Sequence, residues 1–469
     1  KAHHNLGKIL FEQGHHQEAC AAWQRALQLD PHAVEPLFDL ATALLEQGQS
    51  HRLEPRLREL LEHQQPQALR ARLLITLANV LRDRGNFAEA LAAAREAVAL
   101  ESEQPECWEA LGGLLQASGE LEEAERSLRQ ALALEPGRPL ALAQLMAQLR
   151  GRCEPELADQ LLGLDPASFA QPRDRIQLGF ARSQLFHARK QFAESAEALR
   201  QANAEKLQLF PSDAGDLLAR AERLHQAAEA LQVQAHPQVG KGRIFIVGMP
   251  RSGSTLLESI LSLNPQVQDL GEVPALTQAL QMWEQHGGEL EHWYGQCCGV
   301  SQLGSGAWTT DKMLYNYMLV GQIAKLLPAA RVIHCERHAY DNLLSIQRAN
   351  FLRGNRYASS VADSAKVLLQ QHQLMLKAKQ RYAAQIYTVN YDVLVADPAQ
   401  QIPALVEWLG WRWDAAYLKP QRKGRPVATA SVVQVRSPIS TASLGGWQRY
   451  RSLLQDAVQI LGEPEFWNG

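Results

Sequence analysis

Ile244-Phe245-Ile246-Val247-Gly248-Met249-Pro250-Arg251-Ser252-Gly253-Ser254-Thr255 decides the fold of the second half of this chain. Four apolar residues predict a buried strand. Gly, Pro and Gly break it, and Leu256 to Leu261 carry the chain into a helix. A tight loop between a strand and a helix start aims backbone N–H groups and the positive end of the helix dipole at one point, which suits a phosphate. The spacing from Gly248 to Gly253 matches a Walker A loop, but Ser254 stands where that motif requires lysine. A nucleoside triphosphatase uses that lysine on its β- and γ-phosphates together with Mg²⁺, so the loop is expected to hold the phosphate of another donor.

Downstream, Ile244–Val247, Arg331–Cys335 and Ile386–Val389 are short apolar runs separated by the helical stretches Thr255–Ser262, Tyr317–Leu327, Ala339–Arg348 and Ser364–Arg381. That alternation predicts an α/β domain with a mainly parallel sheet and ligands at the carboxyl ends of its strands. Upstream the pattern changes. Leu6-Gly7, Gly14, Ala19, Trp23, Ala26 and Pro31 recur at the same offsets as Leu111-Gly112, Gly119, Ala124, Leu128, Ala131 and Pro136. Leu77-Ala78, Gly85, Ala90, Ala94 and Ala97 form a third unit, 34 residues before the one at Leu111. Leu40-Ala41 and Gly48 open a weaker unit, with Leu53 in place of the small residue. Small residues let paired helices approach closely, Gly turns the chain between them, and Pro ends the second helix. Residues 151–235 continue as helix but match poorly, and are expected to be a degenerate repeat with capping helices. The predicted partition is 1–235 for the helical array, 236–242 for a Pro/Gly linker and 243–469 for the α/β domain.

The repeat resembles the tetratricopeptide repeat, which implies an α-solenoid of antiparallel helix pairs. The set GMPRSGST, LGE at 270–272, TDKM at 310–313, VIHCERH at 332–338 with Ser345, and NYDVL at 390–394 resembles the sulfotransferases. It is most similar to the bacterial tetratricopeptide-repeat sulfotransferases and the tyrosylprotein sulfotransferases. The resemblance implies transfer of a sulfonate from 3′-phosphoadenosine 5′-phosphosulfate to a hydroxyl acceptor, a protein tyrosine among the candidates, without a metal. It implies a 5′-phosphosulfate cradle at Arg251, Ser252, Gly253, Ser254 and Thr255, and a 3′-phosphate site at Arg337 and Ser345. A further contact is implied at Tyr391 and in the segment Ser431–Ser437. Glu272 corresponds to the acid/base carboxylate, Lys312 to the lysine that stabilises the transferring group, and Ser431 to a serine that assists the leaving phosphate. The sequence departs from many relatives in reading Arg337-His338-Ala339 where they carry Arg-Asp-Pro. It also carries Ala349 where they have a second arginine.

Each residue has a plainer alternative: Arg337 could pair with Asp341, Lys312 with Asp311, and Glu272 could serve a helix start before Pro274. His334, inside an apolar strand, is expected to be a core histidine, and Trp447 is expected either to cover the adenine or to pack the last helix. The 469 residues exceed one ordinary core, and the 46% apolar and 21% charged fractions are those of a globular chain. A net charge of −3 advertises no nucleic-acid partner. No apolar run is long enough for a bilayer, and the six cysteines lack zinc spacing. A reduced, cytoplasmic setting is expected. So are residues upstream of Lys1, a protein partner on the array, and either a homodimer or a rigid spacer as the array's plainer role. The competing function classes are a repeat scaffold with a degenerate nucleotide domain, and a P-loop kinase, against which Ser254 argues.

Overall fold

A computed structural model describes residues 1–13, 15–31, 33–46, 52–233, 235–300, 306–351, 354–420, 438–463 and 467. Gly14, Gly48, Ser431 and the segment 431–437 lie outside the described residues. The chain forms two compact units, each discontinuous in sequence.

Among the described residues, the first unit contains those within 1–211 and 348–359. Its helices come in antiparallel pairs, among them Ala2–Glu12 with His16–Leu29, Gln67–Asp83 with Phe87–Leu100, and Pro105–Ser118 with Leu121–Leu134. The repeated small positions explain the pairing. A Cβ on Gly7 would stand 2.4 Å from Trp23 Nε1, and one on Gly112 would stand 2.7 Å from Leu128 Cγ. Both glycines therefore let the partner side chain lie directly on the helix backbone. Gly112→Val should lower stability by about 1–3 kcal/mol through overpacking, read as a lower urea midpoint. Residues 151–209 continue the pairing, with Pro172–Ala188 against Phe192–Leu209.

Residues 348–359 join this unit although they follow the helix Ala339–Gln347 of the second. The Lys206 ammonium donates to Asn350 Oδ1 at 2.9 Å and to the Phe351 carbonyl at 2.5 Å. Asn350 in turn donates to Gln177 Oε1 at 3.1 Å. The short turn Arg356–Ser359 packs on Phe192–Leu209, with Tyr357 buried.

Among the described residues, the second unit contains those within 212–347, 360–420, 438–463 and 467. Five parallel strands among the described residues stand in the order β2-β3-β1-β4-β5: β1 Arg243–Gly248, β2 Val267–Gly271, β3 Trp308–Asp311, β4 Arg331–Glu336 and β5 Ile386–Asn390. β1 is buried along its whole length. Its side chains alternate between two cores: Phe245 and Val247 pack with Tyr294, Ile323 and Leu374, while Ile244 and Ile246 pack with Leu257, Ile260 and Ile402.

Helix Ala214–Ala230, which the sequence groups with the repeat array, packs here within the sheet unit. Gln322 and Lys325 donate to its carbonyls at Leu224 and Ala228, and Gly321 admits Ala228 to 2.6 Å from where a Cβ would sit. Among the described residues no helix is long and apolar enough to cross a membrane.

Candidate functional site

β1 ends at Gly248, and the chain curls through Met249-Pro250-Arg251-Ser252 before the helix Ser254–Leu261 opens. Two residues in the curl are left-handed: Arg251 at φ 67° and Gly253, the helix N-cap, at φ 97°. Alternating backbone of this kind gathers successive N–H groups into a concavity for an anion. The loop is braced from the next elements. Asn342 Nδ2 donates to the Pro250 carbonyl at 2.9 Å, Arg337 Nη1 to the Arg251 carbonyl at 3.1 Å, and Arg251 Nε to Ser345 Oγ at 3.2 Å.

Tyr391 opens the short helix after β5 and lies against Gly253, its Cδ2 2.3 Å from where a Cβ would sit. The Arg337 guanidinium stacks 4.8 Å above the Tyr391 ring. Arg251, Ser252, Gly253, Ser254, Thr255, Arg337, Ser345 and Tyr391 thus surround one loop. Ser443, which the sequence did not single out, belongs with them. Its carbonyl accepts from Arg337 Nη2 at 3.2 Å and its Oγ lies 3.1 Å from the Tyr391 hydroxyl. A lone serine between turn residues carries no sequence signal for such a place.

Beneath the loop a small cavity is lined by Ser252, Arg337, His338, Asn342, Gln371 and His372. Ser252 Oγ, Arg337 Nε, His338 Nδ1 and Asn342 Oδ1 are buried there without a hydrogen-bond partner. Ser252 and Asn342 are each 2% exposed. Orphaned polar groups at that depth are costly unless something polar meets them, so the cavity fits a polar guest.

The second cluster lies at the carboxyl ends of β2 and β3. Their alignment is held by the Lys312 N–H, which donates to the Gly271 carbonyl at 2.8 Å. Glu272 and Lys312 follow directly, and Lys312 Nζ donates to Glu272 Oε1 at 2.7 Å. Lys312 Nζ also lies 3.7 Å from Glu258 Oε2, which comes from the helix that opens at Ser254. Lys312 is buried and desolvation pulls its pKa down, but Glu258 and Glu272 more than offset this and leave it raised.

Asp311 does not pair with the Lys312 side chain. It accepts from the Tyr294 hydroxyl at 3.0 Å and the Met313 N–H at 2.9 Å. Burial raises its pKa to about 7 despite those bonds. The group therefore favours folding most at low pH, and its contribution falls as pH rises from the ordinary 3.8 through about 7. His334 works in the opposite sense. Buried between Gln371 at 2.6 Å and Glu336 at 3.4 Å, it is pushed down to about 3, and its contribution is lost as pH falls below the ordinary 6.5. Asp311→Asn should remove only the first effect. The stability difference between wild type and variant should slope by a few kcal/mol between pH 4 and 7, measured by chemical denaturation.

One plainer sequence alternative is answered by geometry. Asp341 does not pair with Arg337; it caps the backbone N–H groups of Gly445 at 2.7 Å and Trp447 at 2.9 Å. Trp447 is buried and stacked on His338 at 5.7 Å. Glu258 was missed. Its signal was a single carboxylate inside Leu256-Leu257-Glu258-Ser259-Ile260-Leu261.

Comparison with known proteins places this geometry in context. Residues 243–303 and 294–415 match the sulfotransferase family, and residues 1–33 and 75–139 match tetratricopeptide repeats. An uncharacterized protein of Aquifex aeolicus is 25% identical over an alignment of 526 residues, spanning 98% of this chain and 69% of the relative. Among solved structures, the sulfotransferase domain of the Synechococcus PCC 7002 olefin synthase is 20% identical with a TM-score of 0.37, covering 50% of this chain and 98% of its own. A sulfotransferase from Mycobacterium tuberculosis is 15% identical with a TM-score of 0.29, covering 63% and 100%.

Proposed function

The chain joins tetratricopeptide repeats to a sulfotransferase-family domain, and from that premise we propose that it transfers a sulfonate from 3′-phosphoadenosine 5′-phosphosulfate to a hydroxyl acceptor. The observation that carries the donor assignment is the braced loop. Arg251 is left-handed and tied to Ser345, and Arg337 is tied to the Arg251 carbonyl and lines one cavity with the buried Ser252. A planar fork suits phosphate and sulfonate oxygens. The helix N-terminus and the Ser254 and Thr255 hydroxyls complete the cradle for the 5′ side. Arg337, Ser345 and Tyr391 take the 3′-phosphate side.

In the transfer, the acceptor oxygen attacks sulfur in line, and the bond from sulfur to the bridging phosphate oxygen breaks. Glu272 takes the acceptor proton; half-exposed, it can meet a hydroxyl arriving from solvent. The Lys312 ammonium opposes the charge spreading over the sulfonyl oxygens, and Arg251 with the loop N–H groups receives the leaving phosphate. Ser431 assists that departure. The repeat array supplies the surface for a protein acceptor or partner, a tyrosine-bearing peptide among the acceptors to be tested.

Calorimetric titration with adenosine 3′,5′-bisphosphate tests the donor site. Binding is expected without Mg²⁺, and Arg337→Ala should weaken it about 10–100-fold through loss of charge-assisted hydrogen bonds. Radiolabelled donor incubated with candidate peptides, glycans and phenols should then deliver label to one class. A wild-type protein that binds no bisphosphate, or binds ATP with Mg²⁺ in its place, overturns the reading.

A further inference from the structure

We propose that Glu258 is the fixed counter-charge of Lys312, holding the ammonium in place while Glu272 turns to the acceptor. The inference rests on the sulfonyl-transfer reading above and assigns a positioning role that the reading lacks. Lys312 stands between two carboxylates of unlike access. The Glu272 side chain is 50% exposed and 2.7 Å away, whereas that of Glu258 is 4% exposed and 3.7 Å away.

The transfer asks Glu272 to become neutral at the moment Lys312 must be positive. When the acceptor O–H bond breaks, its proton passes to Glu272, the new bond from oxygen to sulfur forms, and the electron pair of the old bond leaves with the phosphate. A Glu272 that has taken that proton no longer balances Lys312. An ammonium at 2% exposure with no carboxylate beside it would be driven to lose its proton. Glu258 removes the conflict. It is anchored in the helix Ser254–Leu261 that follows the donor loop, and its depth keeps it from competing for the acceptor proton.

The three groups start with one positive and two negative charges, and the captured proton brings the set to neutrality. That balance suits a step in which negative charge develops on the neighbouring sulfonyl group and phosphate. The other ionisable groups near Lys312 cannot substitute. Asp311, on its own strand, is turned to Tyr294 and the Met313 N–H. Cys335, from β4, is a buried thiol pushed up to about 12 by burial.

A double-mutant cycle tests the pairing without reference to activity. Lys312→Met alone should lower the thermal midpoint by several degrees, and Glu258→Gln alone by less, because Glu272 stays 2.7 Å from the ammonium. The double variant should recover most of the Lys312→Met loss, because that change leaves the buried Glu258 carboxylate without the Lys312 ammonium and Glu258→Gln then removes the carboxylate's charge. Losses that simply add overturn the pairing, whatever the donor proves to be.

Turnover tests the positioning role. Glu258→Gln should bind adenosine 3′,5′-bisphosphate within threefold of wild type. Its kcat should fall about 10–100-fold, with the alkaline limb of its pH profile moved at least one unit lower, and Glu258→Asp should restore part of both. An unmoved alkaline limb overturns the role in transfer. Failure of wild type to bind the bisphosphate instead overturns the functional reading beneath it, and the stability cycle distinguishes the two.

Discussion

Lys312→Met should slow turnover steeply and weaken the fold together. The side chain is 2% exposed and lies within ion-pair distance of two carboxylates. Its removal takes away the ammonium that lies 3.7 Å from the buried Glu258 carboxylate, and breaking a buried pair from one side typically costs about 3–5 kcal/mol. Loss of charge opposite the transferring group should lower kcat a further ~10²–10³-fold, the scale seen when one preorganised electrostatic donor is deleted. Glu272→Gln separates the two effects. Glu272 is half-exposed, and Lys312 keeps Glu258, so stability should change by about 1 kcal/mol or less while kcat falls about 10²–10⁴-fold. Thermal melts beside single-turnover assays check both. A Glu272→Gln enzyme with wild-type turnover removes the proposed base.

Gly253→Ala should destroy the donor site while sparing the fold. A methyl there would lie 2.3 Å from Tyr391 Cδ2, so the ring must move. Tyr391 carries the stacked Arg337 guanidinium and meets Ser443, so the displacement propagates into the proposed 3′-phosphate side. The φ of 97° adds backbone strain at the first turn of the loop helix. Bisphosphate affinity should fall at least ~100-fold, by loss of about two charge-assisted contacts. Gly410→Ala is the control. Gly410 has φ 73° with nothing within 4 Å of its Cβ position, so that variant carries strain without a clash. It should lose only about 1 kcal/mol of stability and bind normally. Equal affinity losses in the two variants would show that strain alone acts and that the Tyr391 contact is idle.

The repeats were legible because each constrained position repeats its reason. The glycines at 7 and 112 each face a large side chain sixteen positions on, Trp23 and Leu128, and such pairs recur in register along the chain. β1 and β4 were legible because central parallel strands are apolar on both faces, and β5, at the edge opposite β2, through its β-prone run Ile386-Tyr387-Thr388-Val389. β2 and β3 were not. Val267-Gln268-Asp269-Leu270-Gly271 is a half-buried edge strand with a register shift at Asp269/Gly271, and Trp308-Thr309-Thr310-Asp311 ends in a buried acid. Neither offers an apolar run. The helix expected over Tyr317–Leu327 begins instead as a 3₁₀ turn, Leu314–Leu319, before becoming α over Val320–Leu326.

At the site, Glu272 and Lys312 could be named from short motifs, but their ion pair could not. It depends on two strands, distant in sequence, ending level with each other. Glu258 and Ser443 escaped for a different reason. One hides in an apolar helix and the other in a turn, and each acquires its role only through neighbours from another element.

The twelve residues from Arg348 to Ser359 have a practical bearing on anyone dissecting this molecule. A scissors cut near residue 211 yields no self-sufficient halves. The C-terminal fragment would carry Tyr357, now 1% exposed, on a strip whose packing surface has been discarded, and the N-terminal fragment would lose the segment that engages Lys206. Such fragments should be sticky and poorly soluble when produced separately, and mixing the two polypeptides should recover what neither retains alone.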